Sequence, residues 1–459
     1  MTVSRPVVPD YQEFLRRKAI TSTPTGLTEV PQLHRKLFDF QADIVRWALR
    51  RGRAAIFADC GMGKTAMQLE WARHVPGQVL ILAPLAVSGQ TVAEGRKFGI
   101  EVRYCRAQAD VLPGITVTNY EMLEHFDPGA FTGIVLDESS ILKAYDGKTR
   151  TQIIEAFART PFRLACTATP APNDYMELGN HSQFLGAMKR EEMLATFFVH
   201  DGGETQKWRL KGHAEAEFWK WISSWAVTIR RPSDLGYKDG SFVLPPLRYH
   251  EDVIRAQGAT EGCLFQMPAS SLQERIAARR GTVGERVQAC ATLVKKRKGA
   301  WIIWCNLNSE SAALVAAIPG AIEVTGSMGA EEKESALLGF AAGRIRVLIT
   351  KPSIAGFGMN WQHCAQVAFV GLSDSYEQFY QAVRRCWRFG QTQPVDVWLI
   401  TADTEGAVLE NIKRKEEDAG KMAEEMAQHM KDLNRAGLRG GASRDVAAYA
   451  REIATGHGW

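Results

Sequence analysis

Three groups of residues in this chain have types and spacings suited to phosphate chemistry. The first is CGMGKT, which ends at Thr65 and lies between an apolar run and a segment with helical spacing. In a strand–loop–helix context, the backbone N–H groups of residues 61–65 would surround a polyphosphate at the positive end of the helix. Lys64 would supply a point charge to the β- and γ-phosphates, and Thr65 would offer its hydroxyl to Mg²⁺.

Gly61 and Gly63 would let the backbone approach phosphate oxygens where a Cβ would collide. Ala58 replaces the first glycine of the usual pattern, but it stands at the end of the apolar run, outside the cradle, where a methyl group is tolerable. The alternative interpretation is a glycine-rich turn with a surface lysine, which the flanking strand and helix patterns disfavour.

The second group is the acidic pair Asp137-Glu138, which follows the apolar run GIVL. Asp137 is predicted to hold Mg²⁺, and Glu138 to orient and deprotonate an attacking water. An acidic pair after a strand is common, but in the same domain as a phosphate loop it is a specific signal.

The third group is QAVRRCWRFGQ, residues 381–391, which sets Arg385 and Arg388 about one helical turn apart, on one side of a predicted helix. An arginine brought against a transferring phosphoryl group is worth roughly 10³–10⁵ in rate. The alternative for an arginine run is a solvated or nucleic-acid face, an interpretation that suits Arg384. The second half of the chain has no phosphate loop, so we predict that its arginines complete a nucleotide site in a cleft between two domains.

The elements that must position these residues are short apolar, β-branched runs alternating with helical segments. Runs with little polar alternation indicate strands buried on both faces of a parallel sheet. The pattern restarts after a segment rich in Pro, Gly and charge, residues 230–250, which we interpret as a linker. We therefore predict an α/β protein divided into an N-terminal segment, two similar domains and a tail, with boundaries at 1–30, 31–240 (including a helical insertion at about 180–230), 241–403 and 404–459.

The bulk composition is that of a globular protein. The 459 residues are 45% hydrophobic and 23% charged, and 56 Lys and Arg against 51 Asp and Glu give a net charge of +5, a weak indication of a phosphate-bearing partner. The eight cysteines include no C-x-x-C pair, and no segment has the apolar length of a signal peptide or a bilayer span. We expect a soluble, monomeric, cytoplasmic protein without a membrane partner.

Two further segments each allow two interpretations. The Trp cluster Trp219, Trp221 and Trp225 is either an aromatic core of the insertion, which we favour, or an element that stacks on bases. The tail places Met422, Met426 and Met430 on one stripe of a long helix. We favour a helix that packs back on the second domain over one that binds a partner.

Taken in order, the motifs resemble those of superfamily 2 helicase-type motors, most closely the Swi/Snf-type branch, from about Leu37 to about Ile400. The segments that carry the resemblance are LFDFQADIVRWAL, VLILAPLAVSGQ, TNYEML, VLDESSILK, CTATPAPNDYMELGN, SIAGFGMNWQ and QAVRRCWRFGQ. The resemblance implies two tandem RecA-like domains, ATP and Mg²⁺ as ligands, and a nucleic-acid partner. The lack of additional domains is similar to the trimmed motors of bacteriophages, which would place the protein in a bacterial host cytoplasm.

The resemblance also assigns site residues. It implies ATP contacts from Gln41, which would read the adenine, from Gly61, Met62, Gly63, Lys64 and Thr65, and from Gly358 and Gln381. It implies nucleic-acid contacts from Pro84, Thr118, Lys143, Thr325 and Thr350. The chain departs from the family pattern at four places: Ser139-Ser140 follows the acidic pair, Ala168 replaces a glycine, Arg384 replaces a glycine and Trp387 replaces a histidine.

The leading hypothesis is an ATP-dependent DNA translocase or helicase that acts on duplex, forked or branched DNA. Ser140 and Ala168 stand where the family has residues that couple hydrolysis to movement. They leave open an ATP-gated nucleic-acid-binding scaffold with weak turnover. An RNA-remodelling ATPase would share the same active site and differ only in substrate.

Overall fold

The apolar runs form two separate parallel sheets in the computed structural model, as their buried character predicts. The structure describes residues 24–143, 147–171, 174–200, 208–254, 280–355, 359–373, 375–402 and 406–438. The first sheet has seven strands in the order β3-β4-β2-β5-β6-β1-β9. Its strands are β1 (Arg53–Ala58), β2 (Val79–Ala83), β3 (Val102–Tyr104), β4 (Ile115–Asn119), β5 (Gly133–Asp137), β6 (Phe162–Thr167) and β9 (Ala226–Ile229).

The second sheet has six strands, all parallel, in the order β10-β15-β14-β11-β13-β12. Its strands are β10 (Leu247–Ile254), β11 (Trp301–Cys305), β12 (Ile322–Val324), β13 (Val347–Thr350), β14 (Gln366–Val370) and β15 (Val395–Ala402). The predicted fold class is confirmed: two parallel-sheet α/β domains are followed by a C-terminal helix, an arrangement consistent with tandem RecA-like domains.

Helices cover both sheets. The α-helices are α1 (Asp39–Arg51), α2 (Lys64–His74), α3 (Leu85–Phe98), α4 (Lys148–Ala156), α5 (Leu178–Leu185), α6 (Arg190–Phe197), α7 (Glu215–Ser223), α8 (Val283–Lys296), α9 (Asn308–Ala317), α10 (Ala330–Ala341), α11 (Pro352–Ala355), α12 (Tyr376–Val383) and α13 (Gly406–Leu438). Single 3₁₀ turns lie at Gln108–Asp110, Tyr120–His125, Pro128–Ala130, Ser139–Lys143, Tyr175–Glu177, Gly212–Ala214, Pro232–Leu235 and Gly240–Phe242. A two-stranded antiparallel ribbon, β7 (Phe198–His200) with β8 (Trp208–Leu210), lies beside α6 and α7.

The predicted linker at residues 230–250 is only partly a linker. It carries two 3₁₀ turns, and from Leu247 onward it becomes β10, which pairs along its whole length with β15. This strand forms the edge of the second sheet, and all its residues are half-buried or exposed. The sequence pattern missed it because an edge strand covered on one face lacks the continuous apolar run of the central strands.

The Trp cluster is an aromatic core, as favoured. Trp219, Trp221 and Trp225 are all buried, and they pack with Phe218 and other apolar residues against the first sheet. Trp221 and Trp225 meet edge to face, with ring centroids 5.5 Å apart. The three indoles therefore hold the insertion to its domain and are not available to stack on bases.

The tail helix α13 was predicted to pack on the second domain. In the structure it packs on both domains and joins them. Near its start, Val408, Leu409 and Ile412 are buried in the core of the second domain. Further along, Met426 and Met430 are buried in the core of the first domain. The His429 ring stacks on Trp219 with centroids 5.2 Å apart. The methionine stripe predicted an apolar face correctly, but it carried no information about which domain that face would meet.

The methionine stripe supplies a test of this packing. Met430 is fully buried, and its sulfur accepts a hydrogen bond from Thr228 Oγ1 at 3.3 Å. We expect Met430→Ala to lower the free energy of unfolding by about 2–5 kcal/mol, because it leaves a cavity between α13 and the first domain. Leu433→Ala on the same helix is the matched control, since Leu433 is 36% exposed. Equal midpoints for the two variants in urea denaturation would contradict the packing.

Candidate nucleotide site between the two domains

The phosphate loop joins β1 to α2 and has the backbone shape that its glycines predict. Gly61 and Gly63 have φ values of 91° and 81°, in the left-handed region that disfavours other residues. A Cβ on Gly61 would lie 2.7 Å from the backbone nitrogen of Phe389, and one on Gly63 would lie 2.2 Å from Gln41 Nε2. Neither position has room for a side chain. The loop is therefore shaped to meet the second domain on one side and Gln41 on the other.

Gln41 and Lys64 both contact the carbonyl groups of this loop. Gln41 Nε2 donates to the Met62 carbonyl at 2.9 Å, and its Oε1 accepts from the Phe38 N–H at 3.0 Å. Lys64 Nζ donates to the Ala58 carbonyl at 2.8 Å. Lys64 is the first residue of α2, so its ammonium group and the free N–H groups of the helix start create positive charge in one place.

Asp137 and Glu138 lie at the end of β5, next to the phosphate loop. Asp137 Oδ1 accepts a hydrogen bond from Gln68 Nε2 at 2.8 Å, and Glu138 Oε1 accepts one from Thr167 Oγ1 at 2.7 Å. Burial raises the pKa of both carboxyl groups, while the charge of Lys64 opposes that rise. Glu138 has a φ of 58°, which is uncommon for a residue with a side chain. Strained backbone of this kind clusters at functional sites.

Arg385 of the second domain reaches this acidic pair through Gln381. We call residues 381–391 the finger segment. Arg385 Nη2 donates to Gln381 Oε1 at 2.8 Å, and Gln381 Nε2 in turn contacts Glu138 Oε1 at 3.4 Å. The charge of Arg385 also lowers the pKa of Asp137, against the larger effect of burial. A continuous polar path therefore joins the acidic pair of one domain to an arginine of the other.

Arg385 and Arg388 lie close together, but not on the helix that their spacing predicts: α12 ends at Val383, and both arginines follow it in a turn and a bend. Their Nη1 atoms contact one acceptor, the Met359 carbonyl, at 3.3 and 3.4 Å. Burial and the charge of Arg385 lower the pKa of Arg388 to about 10. Two mutually repelling guanidinium groups in a buried cleft make a site suited to an anion with several negative charges.

The predicted magnesium ligands fit that metal. Within the described residues, no three His, Cys, Asp or Glu side chains are grouped closely enough to hold a metal ion by themselves. Mg²⁺ is usually held by one or two carboxylates together with substrate phosphates and water, so a larger protein cluster is not expected. The buried carboxylate of Asp137 and the half-buried hydroxyl of Thr65 are a donor set of this kind.

Three contacts surround the departure at Ser139-Ser140. Ser139 Oγ lies 3.1 Å from Nε2 of His181, a fully buried histidine on α5. Thr167, from the block that contains Ala168, contacts Glu138 directly through its hydroxyl. Ser140 Oγ lies 3.4 Å from the same Glu138 oxygen. A hydrogen-bonded link between the acidic pair and the threonine block therefore exists without the family's histidine.

The five residues predicted to contact nucleic acid fall into two classes. For Thr118 and Thr350 the structure does not support a side-chain contact, because both side chains are fully buried within strands. Pro84, Lys143 and Thr325 retain access to solvent. Lys143 forms an ion pair across the cleft with Glu377. Gly358, predicted to contact ATP, lies outside the described residues.

Four residues of this site were not predicted as such. Gln68 lies one helical turn after Lys64, and this spacing is a signal for a shared face. Asp59 and Tyr380 meet across the cleft, with the Tyr380 hydroxyl 2.7 Å from Asp59 Oδ1. His181 comes from a different part of the chain. No local pattern identifies a contact between residues so far apart in sequence.

One family model matches part of the second domain. Residues 285–390 match the family model described as helicase conserved C-terminal domain, a stretch that contains Gln381, Arg385 and Arg388. The match supports a helicase-type motor of superfamily 1 or 2. Such a domain also implies binding of nucleic acid. No match was found among curated proteins. In the described part of the chain, no helix combines the length and the apolar character that crossing a bilayer requires.

We expect the free energy of unfolding to depend on pH because of His181, which contacts Ser139 next to the acidic pair. Burial lowers the pKa of His181 to about 4. In the unfolded chain His181 binds a proton near pH 6.5, whereas in the folded chain it binds one only near pH 4. The free energy of unfolding should therefore fall between about pH 6.5 and 4, by up to roughly 1.4 kcal/mol per pH unit. Urea denaturation at several pH values should show a shallower dependence in His181→Gln. An unchanged slope in the variant would contradict the prediction.

Proposed function

We propose that this chain is an ATP-dependent DNA translocase that hydrolyses ATP in the cleft between its two α/β domains and acts on duplex, forked or branched DNA. The observation that carries the proposal is the polar path from Glu138 through Gln381 to Arg385. It joins the acidic pair beside the phosphate loop to a residue of the helicase-type domain. ATP hydrolysis that needs both domains is the chemistry for which this arrangement is suited.

Each polar residue of the cleft then has a role. The N–H groups at the start of α2 bind the phosphates, and Lys64 exchanges the Ala58 carbonyl for phosphate oxygens. Mg²⁺, held by Asp137 and Thr65, supplies charge neutralisation when bound. Glu138 orients and deprotonates the attacking water; its raised pKa makes it a stronger base than an exposed carboxylate. Arg385 and Arg388 stabilise the charge that develops on the γ-phosphoryl oxygens.

The finer assignments rest on the motif order. We propose that the motor is of the Swi/Snf type and moves on DNA by closing and reopening its cleft, with Pro84, Lys143 and Thr325 contacting backbone phosphates.

ATP turnover against a panel of nucleic acids tests the proposal. The panel contains single-stranded, duplex, forked and four-way DNA and single- and double-stranded RNA. We expect duplex or branched DNA to stimulate turnover, Lys64→Ala to abolish it, and Glu138→Gln to lower kcat by about 10²- to 10⁴-fold. Stimulation by RNA alone would reassign the substrate. A parent that binds DNA in an ATP-dependent way but hardly turns over, with Glu138→Gln unchanged, would favour a scaffold.

The ion pair between Lys143 and Glu377 predicts how the cleft responds to DNA. A DNA phosphate at Lys143 must compete with the Glu377 carboxylate. Glu377→Gln should therefore tighten binding of labelled duplex DNA by up to about 5-fold, since a partly exposed ion pair is worth roughly 0.2–1 kcal/mol. Lys143→Gln should weaken binding and reduce the slope of affinity against salt by about one. Fluorescence anisotropy at three salt concentrations measures both. Weaker binding in Glu377→Gln would contradict the competition.

A further inference from the structure

Arg384 is the arginine of the finger segment that the proposed chemistry does not use. Its sequence neighbours suggested a solvated or nucleic-acid face, but the structure places it inside the cleft. Arg384 Nη2 lies 3.2 Å from Asp59 Oδ2, and the two side chains are only 11% and 15% exposed. Asp59 belongs to the phosphate loop, so this ion pair joins the loop of one domain to the finger segment of the other.

Asp59 connects this ion pair to the shape of the loop. Its Oδ1 accepts from the Tyr380 hydroxyl at 2.7 Å and from the Cys60 N–H at 2.6 Å. Its carbonyl accepts from the Met62 N–H at 3.2 Å. Burial alone would raise the pKa of the Asp59 carboxyl group, but the charge of Arg384 and the hydrogen bonds from Tyr380 and Cys60 hold it below its ordinary value. Asp59 is therefore a carboxylate fixed on one side by the turn of the loop and on the other by the second domain.

Arg384 is itself held in one orientation. Its guanidinium lies 4.9 Å from the centre of the Tyr380 ring and 4.5 Å from that of Trp387, so both aromatic rings support it. Trp387 is fixed in turn, because its Nε1 donates to the Pro245 carbonyl at 2.7 Å. Trp387 and Arg384 are two of the positions at which this chain departs from the family pattern. Here the two departures pack against each other.

We propose that Arg384 is a positioning residue for ATP hydrolysis: its ion pair with Asp59 sets the register of the finger segment against the phosphate loop, so that Arg385 and Arg388 face the bound phosphates. The inference rests on the proposed function. Arg384 precedes Arg385 directly in the chain, and Arg388 follows three residues after Arg385 in the same turn segment. A displacement of the ion pair therefore moves both Arg385 and Arg388. Misplacement by about 1 Å can cost roughly 10²-fold in rate.

Steady-state kinetics of Arg384→Gln, Asp59→Asn and the double variant test this role. We expect each single variant to lower kcat by about 10- to 100-fold while the KM for ATP changes by less than about 3-fold. The double variant should be no slower than the slower single variant, because both remove one interaction. Arg384→Lys, which keeps the charge, should recover most of kcat. The control is Lys413→Gln, which removes an exposed ion pair with Glu251 outside the cleft and should leave kcat unchanged.

A second measurement tests the position of the finger segment relative to the phosphate loop without relying on turnover. Fluorophores on cysteines introduced at the exposed positions Leu112 and Leu338, one in each domain, report the distance between the domains without nucleotide. We expect Arg384→Gln to lower the transfer efficiency and Lys413→Gln to leave it unchanged. Unchanged kcat in Arg384→Gln, additive effects in the double variant, or a rise in KM alone would overturn the proposal. A parent without turnover on any nucleic acid would contradict the proposed function. The transfer efficiency alone would then test whether Arg384 sets the position of the finger segment against the phosphate loop.

Discussion

Charge buried between the two sheets is the constraint on which the rest of the structure depends. The first domain presents carboxylates at the ends of its central strands, Asp59, Asp137 and Glu138, and the second presents the arginines of the finger segment. A charge removed from water is costly unless it is paired or hydrogen-bonded. Asp59 pairs with Arg384 and Glu138 with Thr167 and Gln381. Each domain thus supplies partners for buried polar side chains of the other.

The long helix α13 adds a mechanical constraint to this electrostatic one. Its 33 residues begin among the buried side chains of the second domain and end in the first, where Leu438 joins the main core. Both ends are anchored by apolar burial, which is not directional. The ion pairs of the cleft, in contrast, require defined atoms at defined distances. The polar contacts of the cleft therefore depend more strictly on the relative position of the two domains than the burial of the helix does.

The sequence was sufficient to predict the features that local pattern controls. Continuous apolar runs located the central strands, and the glycines at 61 and 63 were expected to leave no room for a Cβ, a position that the structure gives left-handed backbone. The phosphate loop and the acidic pair lie at the same edge of the first sheet because the carboxyl ends of its parallel strands meet there. What the sequence could not predict is pairing between distant residues. Arg384 and Asp59 are 325 positions apart, and an arginine run alone reads equally well as a solvated face.

The departures from the family pattern show how distant contacts compensate for local changes. At the position where the family pattern has a histidine, this chain has Ser140, whose hydroxyl lies 3.4 Å from Glu138 Oε1. Ser139 contacts His181 from another helix, and Thr167 contacts Glu138 directly. The direct contact between Thr167 and Glu138 requires β5 and β6 to be neighbours in the sheet. The pairing of Asp137 with Cys166 provides this adjacency and brings Thr167 to the end of the strand beside Glu138. The link from the acidic pair to the threonine block therefore follows from sheet register, which makes it independent of the residue that the family uses at this position.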